Sequence, residues 1–275
     1  TGGSITSAKD STIGVAITAG AEGSLSGGSI ISTGQTGKGE YVEGIVTGGT
    51  VSSSSKFTLT SGNISTGVNG IGIVGKNGGQ ILLGNGQVTV KDNGVGIYLD
   101  KYSSITAGTL NFNYTPNTSA NKGIGIYYEG DSSSVPSKTN NTSVNILTGT
   151  NIINIYSKDV NLTNTAAQTV LKDGIGIYGT VTPSKNGEIS NSGTLTLDGE
   201  SSIGIYADSG ITVKDLSGAI NETVGAKDKI GVYVSSGANI SGNSVFSFDV
   251  DGGIGLFLED YIDYSGTVNV EGTTY

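Results

Sequence analysis

Few residues in this chain could do chemistry, and the missing types narrow the choice. There is no His, no Cys and, read along its length, no Arg; all 14 basic residues are lysines. A Ser-His-Asp triad and a Cys–His pair both need side chains that are absent. Zinc sites use His or Cys in nearly all cases. Polysaccharide lyase chemistry usually takes Arg or Lys as its base, and no lysine cluster appears. Glycoside hydrolysis needs only two carboxylates. The candidates are Asp249 with Asp251, and Glu259, Asp260 and Asp263. They stand among turn residues, where Asp is ordinary. No glycine–aspartate nonapeptide of the calcium-binding kind occurs, and the GxG pairs read as strand, not as a phosphate-binding strand-to-helix turn. The expectation is a protein without catalysis, cofactor or metal.

Tyrosine is the other residue type placed with regularity. KGIGIYY at 122–128 recurs as NGVGIYL at 93–99, DGIGIYG at 173–179, SSIGIYA at 201–207 and DKIGVYV at 228–234. Aligned on the second glycine or its equivalent, ten copies centre on Gly14, Gly44, Gly72, Gly96, Gly125, Asn154, Gly176, Gly204, Gly231 and Gly255, spaced 22–30 residues apart. A period of this length signals a solenoid, propeller or array. Each copy also holds an alternating segment, such as QVTV at 87–90 or TLTL at 194–197, with Gly, Asn, Ser and Asp between. Three short strands and three turns make one coil of a parallel β-helix. No segment has a helical period, so βαβ folds are excluded.

Alternation along a strand then sorts the motif. Ile124 and Ile126 should face inward. Gly125 and Tyr127 should face outward. The outward column is Tyr98, Tyr127, Tyr156, Tyr178, Tyr206, Tyr233 and Phe257, with Ile17, Val46 and Val74 in the first three coils, beside a floor of glycines. Two readings stand side by side. The rings stack on one another and cover bare backbone, or they form a groove for sugar rings or extended peptides. A bend at the second isoleucine would instead turn the tyrosines inward. In-line asparagines such as those of NIINIY at 151–156 can hydrogen-bond along a stack.

The chain is read as one segment, 1–275, interrupted near 115–122, 131–142 and 181–187, which hold its three prolines. Proline cannot donate to a ladder, so these read as loops. Asp131, Lys138 and Asn141 are the candidate contacts there, against the simpler reading of solvated turns. A formal charge of −9 and a pI near 4.4 argue against nucleic acid, which needs basic patches. The absent N-terminal Met reads as a piece of a longer chain, with no signal peptide and no apolar run near 18 residues.

The stretch from NGEISNSGTLTLDGESSIGIYADSGITVKDLSGAI to KIGVY, 186–233, together with the other GIGIY copies, resembles the passenger repeats of large fusobacterial type V autotransporter adhesins. The resemblance implies a right-handed parallel β-helix of about ten coils, displayed outside the cell and anchored in the outer membrane only through a C-terminal β-barrel lying beyond this segment. It implies non-catalytic attachment to surface proteins or glycans of partner bacteria or host cells. A plain spacer is the second reading and a glycan-cleaving β-helix the third. The lack of Cys suits export, since disulfides would obstruct threading.

Overall fold

The computed structural model describes residues 3–118, 121–131, 133–223, 227–241, 245–249, 253–264 and 267–271. Every regular element among them is a β-strand, so none is a helix that could cross a membrane. The strands form two compact units, residues 1–129 with 142–149, and residues 130–141 with 150–275. Both are parallel β-solenoids, about nine turns in all.

In the first unit, one wall runs Ile13–Thr18, Lys38–Glu43, Ile71–Lys76, Val95–Leu99 and Gly123–Glu129, all parallel neighbours. Facing it are Ser4–Ser7, Glu22–Ser32, Lys56–Thr66, Gln87–Val90, Thr109–Tyr114 and Ser143–Thr148. In the second unit the corresponding wall runs Ile152–Lys158, Ile175–Thr180, Ile203–Ala207, Ile230–Val234 and Ile254–Leu258. Two further walls complete each of its coils. One is Ser137–Asn140, Asn161–Asn164, Gly187–Asn191, Ile211–Leu216 and Asn239–Ile240. The other is Gln168–Val170, Leu195–Leu197, Ile220–Glu222, Val245–Asp249 and Thr267–Glu271.

The GIGIY strand does not alternate simply. Ladder pairing passes from Val95↔Ile124 to Ile97↔Ile126 and skips the glycine between, and the same skip recurs in the other turns. The glycine and the residue after it both face the interior. A Cβ on Gly72 would come 2.2 Å from Val88 Cγ1 of the facing wall and 2.6 Å from the carbonyl oxygen of Gly96 in the next turn. Gly14, Gly39, Gly96, Gly176 and Gly204 meet the next glycine's carbonyl at 2.5–2.7 Å in the same way. The glycine column therefore lies inside, and the expected outward floor does not exist. A side chain has no room at this corner, which is why the repeat keeps glycine. Asn154 is the exception, and its Nδ2 donates to Thr169 O at 2.8 Å.

Registration also corrects the second copy. Lys38–Glu43 pairs Ala16↔Tyr41 and Tyr41↔Val74, so its motif is KGEYV, with Gly39 and Tyr41 in the columns in place of Gly44 and Val46, and Ala16 in place of Ile17. Residues 45–53 are instead an antiparallel hairpin, Ile45–Thr47 with Thr50–Ser53, turning on Gly48 and Gly49 at φ 58° and 79°. Two successive positive φ values are the hairpin turn that glycine supplies most readily.

Eight coils enter this wall through a left-handed residue three positions before the corner: Ser11, Thr36, Asn69, Asn93, Asn151, Asp173, Ser201 and Asp228, with φ from 53° to 58°. Asn and Asp tolerate that region better than other side chains. Their backbone N–H groups reach the neighbouring coil, as in Asn69 N–H to Asp92 O at 2.8 Å. The core consists of apolar ladders such as Ile73, Ile97 and Ile126, or Ile155, Ile177, Ile205 and Val232, all 0% exposed. Each such side chain contributes about 1.5–3 kcal/mol by burial. Glu40 occupies the same ladder between Val15 and Ile73.

The second unit adds a buried asparagine ladder. Asn140 Nδ2 donates to Asn164 Oδ1 and Asn164 Nδ2 to Asn191 Oδ1, both at 2.7 Å. Asn164 and Asn191 also donate to Ala166 O and Gly193 O. Lys229, 1% exposed, donates to Leu197 O and Thr223 O at 2.8 Å, with Glu222 Oε2 at 3.4 Å.

Candidate functional site

The tyrosines stand on the outer face, half-buried, as alternation beyond the corner requires. Because the slip falls at Gly125 and Ile126, Tyr127 points out while Tyr128 points in, 3% exposed. The column is brought together as ladders within each unit.

In the first unit, Tyr98 and Tyr127 meet edge to face, with centroids 5.4 Å apart and planes at 90°. Both hydroxyls donate to Glu129, Tyr127 at 3.3 Å. Lys76 Nζ lies 5.7 Å from the Tyr98 ring centroid. Burial, then the bond to Glu129 and its charge, push the Tyr98 phenol well above its usual range. Tyr41 is raised by burial and by Glu43.

In the second unit, Tyr156, Tyr178, Tyr206, Tyr233 and Phe257 stack face on face. Centroids are 5.1, 4.9, 4.7 and 4.9 Å apart, and planes lie within 5–22° of parallel. In-register parallel strands impose this repeat, since strand spacing is about 4.8 Å. A carboxylate line runs beside the rings. Tyr178 Oη donates to Asp208 at 3.2 Å, and Thr180 Oγ1 to the same oxygen at 3.1 Å. Tyr233 donates to Glu259, which also accepts Ser236 N–H at 2.7 Å. The bond to Glu259, with burial, pushes Tyr233 up to about 12; the same bond holds the Glu259 carboxyl below its ordinary range. These rings offer hydroxyls and edges to the outside. The faces of Tyr178, Tyr206 and Tyr233 are occupied by their neighbours on both sides.

Of the other candidates, Glu259 and Asp260 are engaged in turns; Asp260 accepts from Ser236 Oγ at 2.8 Å and Gly237 N–H at 3.0 Å. The Asp249 side chain and Asp251 lie outside the described residues. Among the described residues, no group of three or more His, Cys, Asp or Glu is placed to hold a metal.

Residues 131–142 do not form one projecting loop. Ser137–Asn140, with Lys138, begins a wall by pairing with Asn161–Asn164. Pro136 sits just before that strand, where no ladder donor is needed, and its carbonyl accepts Asn161 N–H at 2.9 Å. Asp131 accepts from Ser133, and its carbonyl takes Lys185 Nζ at 2.5 Å. Lys185 also pairs with Asp159 at 3.5 Å, which ties the turn at 181–186 down. Asn141 is exposed.

Sequence reasoning missed the interior of the first unit. Glu40 is 0% exposed, both its carboxyl oxygens are sealed from solvent, and neither has a hydrogen-bond partner among the described residues. Burial raises its pKa to about 8. The residue borders an open pocket of about 480 Å³ whose lining includes Ser4, Ile5, Val15, Ser24, Leu25 and Ser29, but its carboxyl oxygens do not reach that surface. The sequence signal was a charge in KGEYV at the place where other copies carry an aliphatic residue.

Against known proteins, the chain matches no family model, no curated sequence and no solved structure, so its membership rests on architecture: it is a parallel β-solenoid built on a GIGIY repeat.

Proposed function

We propose that this chain is a surface-displayed segment of a fusobacterial-type autotransporter adhesin, attaching by non-catalytic contact to proteins or glycans on partner bacteria or host cells. The observation that carries the reading is the ordered outer ridge of the second unit, where Tyr178 and Tyr233 hydroxyls alternate with Asp208 and Glu259 carboxylates along the stack. Such a ridge presents polar, rigid, repeated groups that lose little entropy on contact. The test is binding of the purified folded chain to whole bacteria and host cells, with free sugars and amino acids as competitors. Saturable, competable binding that falls at least tenfold in Tyr178→Ala, with the fold intact, supports the reading. Absence of binding by the folded chain refutes it.

A second reading, a spacer, is favoured by the mutual stacking of the rings. Faces occupied by neighbours stiffen the wall and leave little apolar surface for a ligand. It predicts a stable solenoid to which no cell binds.

A further inference from the structure

Five Asn-Gly pairs occur in the chain, at 69–70, 77–78, 85–86, 93–94 and 186–187. In such a pair the glycine nitrogen can attack the carboxamide carbon of the asparagine, because no Cβ stands in the way. The attack needs a glycine N–H that no acceptor holds and a carboxamide free to turn. The fold withholds one of these at four of the pairs. Gly70 N–H donates to Gly67 O at 3.1 Å, Gly94 N–H to Lys91 O at 2.8 Å and Gly187 N–H to Gly210 O at 3.0 Å. Gly78 N–H has no acceptor among the described residues, but Asn77 Nδ2 is bonded to Glu43 Oε1 at 2.7 Å and Val51 of the hairpin lies over Gly78.

The pair Asn85–Gly86 differs on both counts. Asn85 is exposed, and its carboxamide makes no hydrogen bond among the described residues. Gly86 N–H likewise finds no acceptor among them. Gly86 is buried, so this donor has lost water without gaining a partner, which is costly. The backbone is held on either side of it. Asn85 N–H donates to Thr60 O at 2.9 Å, and Gly86 O accepts from Asn111 Nδ2 at 3.3 Å. The pair turns the chain from the strand Gln80–Leu83 into Gln87–Val90.

We propose that Asn85 is a modification site at which the folded chain directs spontaneous imide formation. Gly86 N gives up its proton and bonds to Asn85 Cγ; the side-chain nitrogen takes up a proton and leaves as ammonia. The succinimide carries no N–H, so the unpaired buried donor disappears. Solvent water then adds to one ring carbonyl and opens the ring to aspartate or isoaspartate. Either product adds a negative charge, and isoaspartate also lengthens the backbone by one carbon at the entrance to Gln87–Val90. The folded chain therefore gains charge with age at one turn, independently of the tyrosine ridge.

The experiment is peptide mapping by mass spectrometry of the whole folded chain after incubation at pH 7, 8 and 9, beside the same chain in urea. Expected in the folded chain is loss of ammonia at Asn85, then the mass of an aspartyl residue there. The rate should rise with pH and exceed that at Asn69, Asn77, Asn93 and Asn186 at least tenfold. Enzymatic methylation of isoaspartate should label the same peptide. In urea the five rates should converge, because the selectivity belongs to the fold. Gly86→Ala should slow the reaction at least fivefold. Its Cβ would press on Leu59, so Asn85→Gln, which keeps the glycine and closes a larger ring, is the second variant and should abolish the early ammonia release with the fold intact. Conversion of Asn69, Asn93 or Asn186 as fast as Asn85 in the folded chain would overturn the proposal. So would an Asn85 that reacts in urea but not in the folded chain, or early ammonia release that persists in Asn85→Gln.

Discussion

Replacing Glu40 should make the protein more stable, and by an amount that depends on pH. The folded chain holds the Glu40 proton up to about pH 8, whereas the unfolded chain releases it near 4.5. Between those values the unfolded state binds fewer protons, so stability falls as pH rises; below 4.5 and above 8 this contribution is constant. A gap of that size corresponds to about 5 kcal/mol, at 1.36 kcal/mol per pH unit. Glu259 and Asp260, held low by bonds from Tyr233 and Ser236, lose their contributions only at acidic pH, and equally in wild type and variant. The comparison is urea unfolding of wild type, Glu40→Gln and Glu40→Val at pH 5, 6.5 and 8, followed by far-ultraviolet circular dichroism. The difference between wild type and Glu40→Gln should widen steadily across that range. Glu40→Val, matching Val15 and Ile73 beside it, should be the most stable at pH 8, since it also removes two oxygens without partners at about 1–3 kcal/mol each. Parallel pH profiles for wild type and Glu40→Gln, or a Glu40→Val protein weaker than wild type at pH 8, would refute the reasoning.

Gly204→Ala places a Cβ 2.5 Å from the Gly231 carbonyl oxygen and should cost about 1–3 kcal/mol in thermal unfolding, although alanine normally favours order over glycine. Asn164→Leu removes both rungs of the asparagine ladder and should cost roughly 3 kcal/mol, read as a lower urea midpoint. Lys229→Met frees the Leu197 and Thr223 carbonyls and leaves buried Glu222 without its cation, for a loss of roughly 3–5 kcal/mol that hydrogen exchange should localise to the second unit. Tyr206→Ala removes two stacking contacts and should cost about 1–3 kcal/mol, leaving first-unit amide protection unchanged.

The repeat, the strands and the outward tyrosines were legible because each depends on periodicity alone. The direction of the glycines was not. Strict alternation puts Gly125 opposite Ile126, and only the skipped ladder position lets both face inward. The second coil was hidden for a related reason: Glu40 breaks the apolar pattern, so GIV at 44–46 looked like the better copy. TGGT at 47–50 was in fact a hairpin signal. Asparagine stacking was expected at 151–156, but the ladder lies at Asn140, Asn164 and Asn191, steps of 24 and 27 residues. That spacing is the repeat length itself, so asparagines one period apart were the sign to read. The open pocket beside Glu40 could not be foreseen, since it depends on which residues of distant coils fail to fill the space.

The stacked tyrosines also give the second unit an optical signature. The chain has no tryptophan, so its near-ultraviolet absorption and emission come mainly from 13 tyrosines. Rings 4.7–5.1 Å apart share their excitation, and light absorbed at Tyr156 is not confined there but passes along Tyr178, Tyr206 and Tyr233. The coupled spectrum collapses to that of free tyrosine as soon as the coils separate. The column is thus a label-free reporter of whether neighbouring turns are in register, built into the strands whose stacking it measures.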